Sequence, residues 1–427
     1  MMRWTILFGI LGLSWHVKCE EGLKYDNHSL VRLIPKTEQQ LTAVHQLPDA
    51  GEMEVLKRSR MVNDSFDILV PEMKKVYMED FAKEHGMDFH VKEDNYGRSF
   101  APVQRSGRRR SNQRLNIFGY NSFDTINAFL EQTAAAHPGL AQVQPLKRSS
   151  QGRQLKLMKI STNPGANNPI IFVDAGIHAR EWAAPAMAVY LIHRLTSDPA
   201  AREEELNGVD WYILPNVNPD GYEFTRYSRG NRLWRKTRSR SSARSDCFGV
   251  DGNRNYGFKW GVSGVSRDPC NQETYAGPEP FSEPETRMVR DVMMENAKRL
   301  KLYVSLHSYG NYLVYPWGYT GASLPDDWRK LDTLAHKVSK AIVGAGGSPL
   351  KVLSAGHWYP AAGGSDDYAY GVVGVPYSYT MELTDGYEFQ LPAKMLPKLL
   401  PQFYEGFKEF ARNIRSEFGT VRSRDAE

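Results

Sequence analysis

Residues 170–182 read Ile-Ile-Phe-Val-Asp-Ala-Gly-Ile-His-Ala-Arg-Glu-Trp, and they carry the clearest structural signal in the chain. The first four residues, Ile170–Val173, are apolar and follow Asn-Pro, which predicts a short buried strand. Residues 182–196 then predict a helix. His178 and Glu181 therefore lie where a strand gives way to a helix, the usual place for chemistry in open α/β sheets. A histidine and a carboxylate at this spacing suit a zinc ion, although such a pair can also be simply solvated.

The alternation of strands and helices continues through most of the chain. It predicts a mixed, largely parallel sheet flanked by helices, in the α/β class. A small α+β unit is predicted before it, between about residues 24 and 100. The predicted strands of the sheet are 170–173, 211–214, 302–306 and 377–381, with a hairpin at 142–160, and the predicted helices are 182–196, 283–296, 326–343 and 393–418.

Length and composition indicate a secreted globular protein. The 427 residues suffice for one large domain and a smaller one, and 41% hydrophobic residues is an ordinary share. Met1–Leu13 has a basic start and a short apolar core, which predicts a signal peptide ending near Cys19. No other stretch approaches the roughly 20 apolar residues that cross a bilayer. The basic runs at 105–114 and 226–244 lack interleaved aromatics, so we expect no nucleic-acid partner.

Two pairs of residues fit an extracellular location. Asn27 and Asn63 each begin a glycosylation sequon, Asn-His-Ser and Asn-Asp-Ser. Cys247 and Cys270 can form a disulfide in an oxidising compartment, and the alternative is two separate buried thiols.

The basic stretch 104–114 is either a solvated linker or a processing site. Secretion favours the second interpretation, because a secreted chain meets trypsin-like and furin-like proteases. Arg105, Arg110 and Arg114 are the candidate cleavage positions.

A catalytic zinc usually has three protein ligands, so a third ligand is needed beside His178 and Glu181. His307, at the end of the predicted strand 302–306, is the best candidate. On its own, a histidine at this position would be interpreted as a core residue. Because His178 and Glu181 already suggest a zinc site, we interpret His307 as the third ligand. Hydrolysis further needs a base for the water proton, and Glu382 is the strongest candidate, with an ordinary edge carboxylate as the alternative.

Seven motifs, in consistent order after residue 115, resemble those of the secreted pancreatic-type zinc metallocarboxypeptidases, the carboxypeptidase A/B family. The motifs are His178-Ala-Arg-Glu, Asn216-Val-Asn-Pro-Asp-Gly-Tyr, Asn231-Arg-Leu-Trp-Arg-Lys-Thr-Arg, Gly249-Val-Asp-Gly-Asn-Arg-Asn, His307-Ser-Tyr, Tyr359-Pro-Ala-Ala-Gly-Gly-Ser-Asp and Glu382-Leu.

The resemblance implies a carboxypeptidase fold preceded by a small antiparallel α+β pro-domain that covers the cleft. The implied division is a signal peptide at 1–19, an activation pro-domain at 20–104, a basic activation segment at 105–114 and a catalytic domain at 115–422.

By position, the resemblance also assigns each candidate residue a role in peptide hydrolysis. A guanidinium suits two of these roles, because it keeps its charge and can bind two carboxylate oxygens at once. The implied ligands of one zinc ion are His178, Glu181 and His307, the implied general base is Glu382, and Arg235 is implied to stabilise the oxyanion. The implied substrate-binding residues are Asn253, Arg254 and Tyr359 for the terminal carboxylate, and Arg180 and Tyr309 for the outer subsites. The resemblance also implies a disulfide between Cys247 and Cys270.

The resemblance places Asp366 at the base of the pocket for the C-terminal side chain. Members of the family with an apolar residue there prefer apolar or aromatic C-termini, whereas those with Asp prefer Lys or Arg. A buried carboxylate needs a cationic partner, which favours the basic preference. The alternative is that Asp366 turns outward or caps a turn. Compared with the pattern of the family, the segment at residues 370–374, near this pocket, is one residue longer, and the segment at residues 382–387 is shorter.

We therefore expect a secreted, monomeric proenzyme that binds one Zn²⁺ and, after cleavage by a trypsin-like protease, removes a C-terminal Lys or Arg from peptides or proteins. The alternatives are a preference for apolar C-termini or for a small acylated amino acid. A catalytically inactive binding protein is disfavoured, because His178, Glu181, His307, Arg235 and Glu382 are all present.

Overall fold

The computed structural model describes residues 25–47, 53–59, 61–99, 114–384 and 389–419. The predicted signal peptide at 1–19 and the cleavage candidates Arg105 and Arg110 lie outside these residues. Arg114 is the first described residue of its range and is exposed.

The N-terminal unit is a small antiparallel sheet with two helices. Its elements in chain order are β1 (His28–Leu33), α1 (Glu38–Gln46), β2 (Glu54–Lys57), β3 (Phe66–Pro71), α2 (Lys75–Glu84) and β4 (Phe89–Glu93). The strands pair in the order β2-β3-β1-β4, all antiparallel. Alternate residues such as Val31 and Ile68 are buried together with Met78 of α2, so one sheet face forms the core. The predicted α+β unit is confirmed.

The larger unit alternates strands and helices, as predicted. Its elements in chain order are α3 (Phe123–Ala136), β5 (Ala141–Arg148), β6 (Gln154–Ile160), β7 (Ile170–Ala175), α4 (Ala183–Ser197), α5 (Pro199–Glu204), β8 (Asp210–Leu214), α6 (Pro219–Tyr227), α7 (Pro284–Glu295), β9 (Leu300–Ser308), β10 (Tyr312–Tyr315), α8 (Trp328–Gly344), β11 (Lys351–Ser354), α9 (Ala355–Trp358), α10 (Ser365–Tyr368), β12 (Tyr377–Leu383) and α11 (Leu396–Phe418).

These strands form one eight-stranded sheet in the order β11-β10-β12-β9-β7-β8-β6-β5. The central strands β12, β9, β7 and β8 are parallel, and the edges add antiparallel pairs, which confirms the mixed, largely parallel sheet. Helices cover both faces. Ile171 and Val173 of β7 share a core with α4, α8 and α11, whereas Ile170 and Phe172 pack with α7. Burial on both faces explains why β7 is uniformly apolar.

The sheet brings the predicted site together at the carboxyl ends of its parallel strands. His307 is the penultimate residue of β9, and Glu382 is the penultimate residue of β12. The two residues are direct partners in the register of these neighbouring strands. The His178–Glu181 turn follows β7 on the other side of β9, so three separate chain segments meet at one edge.

The two units pack against each other through an apolar cluster. Leu30, Leu56 and Leu69 of the N-terminal unit contact Leu233 and Phe389 of the larger unit. Strand β2 lies at the edge of the small sheet, and residues 55–59 border the same cavity as the predicted zinc ligands. The N-terminal unit therefore lies over the candidate site.

The predicted disulfide between Cys247 and Cys270 is present. Both sequon residues, Asn27 and Asn63, are exposed in turns of the N-terminal unit. Each has a positive φ, of 60° and 69°, which asparagine tolerates better than most residues.

Candidate active site

The side chains of His178, Glu181 and His307 face one another at the carboxyl edge of the sheet. All three are buried, and their ligand atoms lie within 4.8 Å of one another. The Nδ1 atom of His178 is 2.7 Å from Oε1 of Glu181. The Nδ1 atom of His307 is 3.0 Å from Nδ1 of His178 and 3.0 Å from Oε2 of Glu181. Two imidazole nitrogens and one carboxylate oxygen are a donor set that fits a catalytic zinc ion.

A tight turn between β7 and α4 positions the first two ligands. Gly176 has a φ of +72°, and a Cβ added there would come within 3.0 Å of the Pro185 side chain. Only glycine suits both the backbone conformation and the close approach. The turn lets the chain leave the strand and present His178 and Glu181 toward the end of β9.

Each histidine of the triad uses its Nε2 atom to reach a partner that sequence reasoning missed. Nε2 of His178 is 3.0 Å from Oδ1 of Asp251, and Nε2 of His307 is 3.1 Å from Oγ of Ser305. These contacts leave both Nδ1 atoms directed at the centre of the triad. Outer partners of this kind orient histidine ligands in metal sites. Asp251 lies in the Gly249–Asn255 motif, for which the resemblance implies roles only at Asn253 and Arg254.

The triad is strongly coupled electrostatically. Burial raises the pKa of Glu181, but His178 and His307 outweigh this effect and hold it well below the usual range. Burial lowers the pKa of His307, yet the Glu181 carboxylate more than offsets this and brings it to about 9. The pKa of His178 is lowered, chiefly by burial and then by Arg235. A metal ion entering here would displace a proton, which is ordinary for a histidine-containing site.

Arg235 and Glu382 border the same cavity as the triad. Arg235 donates to Oδ2 of Asp251 from Nε at 3.2 Å and from Nη2 at 2.9 Å, and its Nη1 is 3.9 Å from Oε1 of Glu181. Glu382 is buried, and its charge adds to the rise in the pKa of His307. The site therefore presents a fixed cation and a carboxylate beside the candidate metal position.

Arg254, Asn253 and Tyr359 form a second polar group in the same cleft. Nη2 of Arg254 is 3.4 Å from the Tyr359 hydroxyl, and Nη1 donates to the Asn253 carbonyl at 2.8 Å. Arg254 is buried, and its Nε donates to the carbonyl of Gly264 at 3.0 Å. The guanidinium is thus held in place by backbone carbonyls.

Asp366 is buried and borders the cleft, beside a second buried carboxyl group, that of Asp367. The two oxygens of Asp367 accept from the backbone N–H groups of Gly318 and Tyr319 at 2.7 and 2.9 Å. Burial raises the pKa of Asp366, and burial together with Asp366 raises that of Asp367 well above its usual range. Asp366 therefore does not turn outward, but its carboxyl accepts from backbone N–H groups at residues 366 and 367, as a turn-capping side chain does. Its role in the specificity pocket stays a prediction.

The sequence departure at residues 370–374 has a structural counterpart. Ala369–Val373 form a π-helical turn that follows α10 and ends at Gly374, whose φ is 76°. A π turn has i→i+5 hydrogen bonds and so spans one residue more than an α turn, which agrees with the additional residue that the resemblance indicates beside Asp366.

Arg180 and Tyr309 lie at the outer part of the cleft, near the N-terminal unit. Arg180 donates to both carboxylate oxygens of Glu273, at 2.8 and 2.5 Å, and its guanidinium carbon is 4.2 Å from the centre of the Phe389 ring. Tyr309 packs edge-on against Phe389. Glu273 was not predicted, because it is far from Arg180 in the sequence and part of no recognised motif.

All the predicted catalytic, metal-binding and substrate-binding residues border one cavity of about 610 Å³. His45 and residues 55–59 of the N-terminal unit border it too. The residues that the structure brings together in this way are His178, Arg180, Glu181, Arg235, Asn253, Arg254, His307, Tyr309, Tyr359, Asp366 and Glu382.

Within the described ranges, a second group of potential metal ligands is Asp246 with Cys247 and Cys270, but those cysteines are joined in the disulfide. Among the helices of the same ranges, none combines the length and apolar character that crossing a bilayer requires.

Comparisons with known proteins agree with this site. The profile of the zinc carboxypeptidase family matches residues 126–405, and that of the carboxypeptidase activation peptide matches residues 31–101. A carboxypeptidase B of Astacus astacus is 43% identical over 302 residues, covering 70% of this chain and 98% of the relative. Carboxypeptidase A2 of Rattus norvegicus is 32% identical over 426 residues, covering 97% and 99%.

The fold is also that of solved carboxypeptidases. The crystal structure of the carboxypeptidase A from Helicoverpa armigera superposes with a TM-score of 0.82 at 28% identity, covering 92% of this chain and 98% of that one. His178, Glu181 and His307 supply the candidate zinc ligands that this family requires. The chain belongs to the zinc carboxypeptidase family and is a metallocarboxypeptidase made as a proenzyme, with an N-terminal activation peptide.

Proposed function

We propose that the activated enzyme releases lysine or arginine from the C-termini of peptides and proteins. The observation that carries this proposal is the buried carboxyl group of Asp366, which borders the same cavity as the candidate zinc ligands and Arg254. The relatives include both A-type and B-type carboxypeptidases, so the preference rests on the pocket and not on similarity.

His178, Glu181 and His307 would hold the zinc ion, through the two Nδ1 atoms and the carboxylate. Zinc held there supplies a Lewis acid and a water of lowered pKa. Asp251 accepts from Nε2 of His178 and so directs its Nδ1 lone pair inward. The same carboxylate holds Arg235 beside the triad, so Asp251 positions two groups of the site at once.

Glu382 would act as the general base. Its carboxylate borders the same cavity as the three candidate ligands, where it would reach the water that attacks the peptide carbonyl. The carboxylate takes the proton of that water and returns it to the nitrogen of the leaving amine. Arg235 keeps its charge throughout and would stabilise the negative oxygen that develops on the carbonyl.

Arg254 and Asn253 would bind the terminal carboxylate of the substrate, and Tyr359 would close over it. Support comes from the position of the Tyr359 hydroxyl, 3.4 Å from Nη2 of Arg254. A charge-assisted contact to a free carboxylate restricts cleavage to the last peptide bond. Arg180 and Tyr309, further out, would contact residues before the scissile bond.

Asp366 would pair with the cationic side chain of the C-terminal residue. A buried carboxylate without a partner is costly, and an apolar side chain would leave it unpaired. Gly318 also borders the cavity and leaves room for a long side chain, because it carries none of its own.

We further propose that the chain is secreted as a monomer, glycosylated at Asn27 and Asn63, and activated by a trypsin-like protease within residues 105–114. The proposed division, with residues 20–104 as activation peptide and 115–422 as enzyme, is supported by the two family matches at 31–101 and 126–405. The N-terminal unit would block the cleft until cleavage, since residues 55–59 border it.

The direct experiment compares otherwise identical peptides ending in Arg, Lys or Phe, before and after trypsin treatment of the full-length chain. We expect activity only after cleavage, a kcat/KM for Arg and Lys at least about 100-fold above that for Phe, and loss of all activity with a chelator. Equal or faster release of Phe would refute the basic preference and favour the A-type alternative.

The preference for basic residues should weaken in acid. Burial raises the pKa of Asp366, and only its ionised form attracts a cation, so binding is lost as pH falls through that raised value. We expect the ratio of kcat/KM for Arg to that for Phe to fall by about tenfold per pH unit below it. Both substrates use the same zinc site, so titration of its groups changes both kcat/KM values equally and cancels in the ratio. A ratio that is constant with pH would contradict this assignment.

A further inference from the structure

A buried network of hydrogen bonds joins β7 and β9 beside His307, and Asp174, Tyr303 and Ser305 in it do not border the cavity. Asp174, the fifth residue of β7, is paired in register with Ser305 of β9 and is 2% exposed. Its two oxygens accept from two hydroxyl groups of that strand, Oδ1 from Ser305 at 2.8 Å and Oδ2 from Tyr303 at 2.6 Å. The proposed mechanism gives Asp174 no role.

The donor and acceptor properties of these groups determine which atom donates in each hydrogen bond of the network. An ionised carboxylate only accepts hydrogen bonds, so the Ser305 proton points to Asp174. The Ser305 oxygen must then accept from Nε2–H of His307, at 3.1 Å. With its Nε2 proton held by Ser305, His307 keeps Nδ1, 3.0 Å from Oε2 of Glu181, as the nitrogen that would bind the zinc ion.

The arrangement matches the one at the other histidine. There the Asp251 carboxylate accepts from Nε2 of His178 directly, at 3.0 Å. At His307, the carboxylate of Asp174 acts indirectly, because the Ser305 hydroxyl lies between it and Nε2. Both imidazoles therefore end with Nδ1 facing the centre of the triad.

We infer that Asp174 and Ser305 are positioning residues for the metal site, which fix the tautomer and ring orientation of His307. This inference rests on the proposed role of His307 as a zinc ligand. All members of the network are buried, so water cannot replace a lost partner. Tyr303 holds the second oxygen of Asp174 and restrains rotation of the carboxylate.

The test is the zinc affinity of the full-length chain, measured by competition with a chromophoric chelator. We expect Ser305→Ala to weaken zinc binding by about 10- to 100-fold, and Asp174→Asn to act in the same direction. Ser339→Ala is the matched control, because this serine of α8 is also buried and its Oγ accepts from the Leu350 N–H at 2.9 Å, away from the site. The control should bind zinc as the wild type does.

Thermal unfolding of the zinc-free proteins separates lost folding from lost positioning. If Ser305→Ala and Asp174→Asn both bind zinc within twofold of the wild type while His307→Ala loses it, the network has no positioning role and the inference is wrong. If His307→Ala itself retains full zinc affinity, the proposed zinc site fails, and the inference falls with it.

Discussion

Replacing Glu382 with glutamine should lower kcat by about 10²- to 10⁴-fold and leave the zinc content at one ion per chain. Glutamine has nearly the same shape as glutamate, but it cannot take up a proton. Glu382 is not one of the three clustered ligands, so the metal should stay bound. The measurement is kcat on an Arg-terminated peptide after trypsin treatment, together with metal analysis of the same sample.

Glu285→Gln is the matched control for this substitution. Glu285 is also buried, but it does not border the cavity. Burial raises its pKa to about 8, so the neutral form predominates at pH 7 and glutamine resembles it. We expect normal turnover in the control. Normal turnover in Glu382→Gln would instead show that the proton is carried by another group.

Replacing Asp366 with asparagine should lower kcat/KM for Arg-terminated peptides by about 10²- to 10³-fold, the usual cost of removing one partner of a buried ion pair. Hydrolysis of Phe-terminated peptides should fall far less, because they never use this charge. Asp366 is buried and borders the cavity, whereas both oxygens of Asp367 accept from backbone N–H groups, so Asp366 is the carboxylate available to a cationic side chain. The measurement is the ratio of the two kcat/KM values.

Asp367→Asn provides the control, since it removes a carboxylate one residue away. Both oxygens of Asp367 accept from backbone N–H groups of residues 318 and 319, so its loss should lower thermal stability and affect both substrates alike. If Asp366→Asn left unchanged the ratio of kcat/KM for Arg-terminated peptides to that for Phe-terminated peptides, residues other than Asp366 would determine the preference.

The strands and the triad were predictable because their signals are local. Continuous apolar runs marked β7 and β9, and the polar residues that follow such runs had to meet at one edge of a parallel sheet. In contrast, β10 and β11 of the large sheet were not predicted, and α1 and β2 were not placed within the predicted α+β unit. Glu54–Lys57 is only four residues long and has no clear alternation, so its strand conformation depends on pairing with β3.

The partners behind the ligands were not predictable from sequence, because they depend on three-dimensional proximity. Asp251 reaches His178 across 73 positions, and Asp174 reaches Ser305 across 131. Ser305 also resembles any buried serine of a strand until the register of β7 and β9 is known. Their roles follow from which atoms face each other, which a motif cannot specify.

One measurement tests the central claim most directly: mass analysis of three peptides incubated together with the trypsin-activated enzyme. The peptides are identical except that one ends in arginine with a free carboxylate, one in arginine amide and one in phenylalanine with a free carboxylate. We predict that the first loses the mass of one arginine, while the other two persist and a chelator stops the reaction. Cleavage of the amide, or faster loss of phenylalanine, would contradict a carboxypeptidase that recognises a basic C-terminal residue.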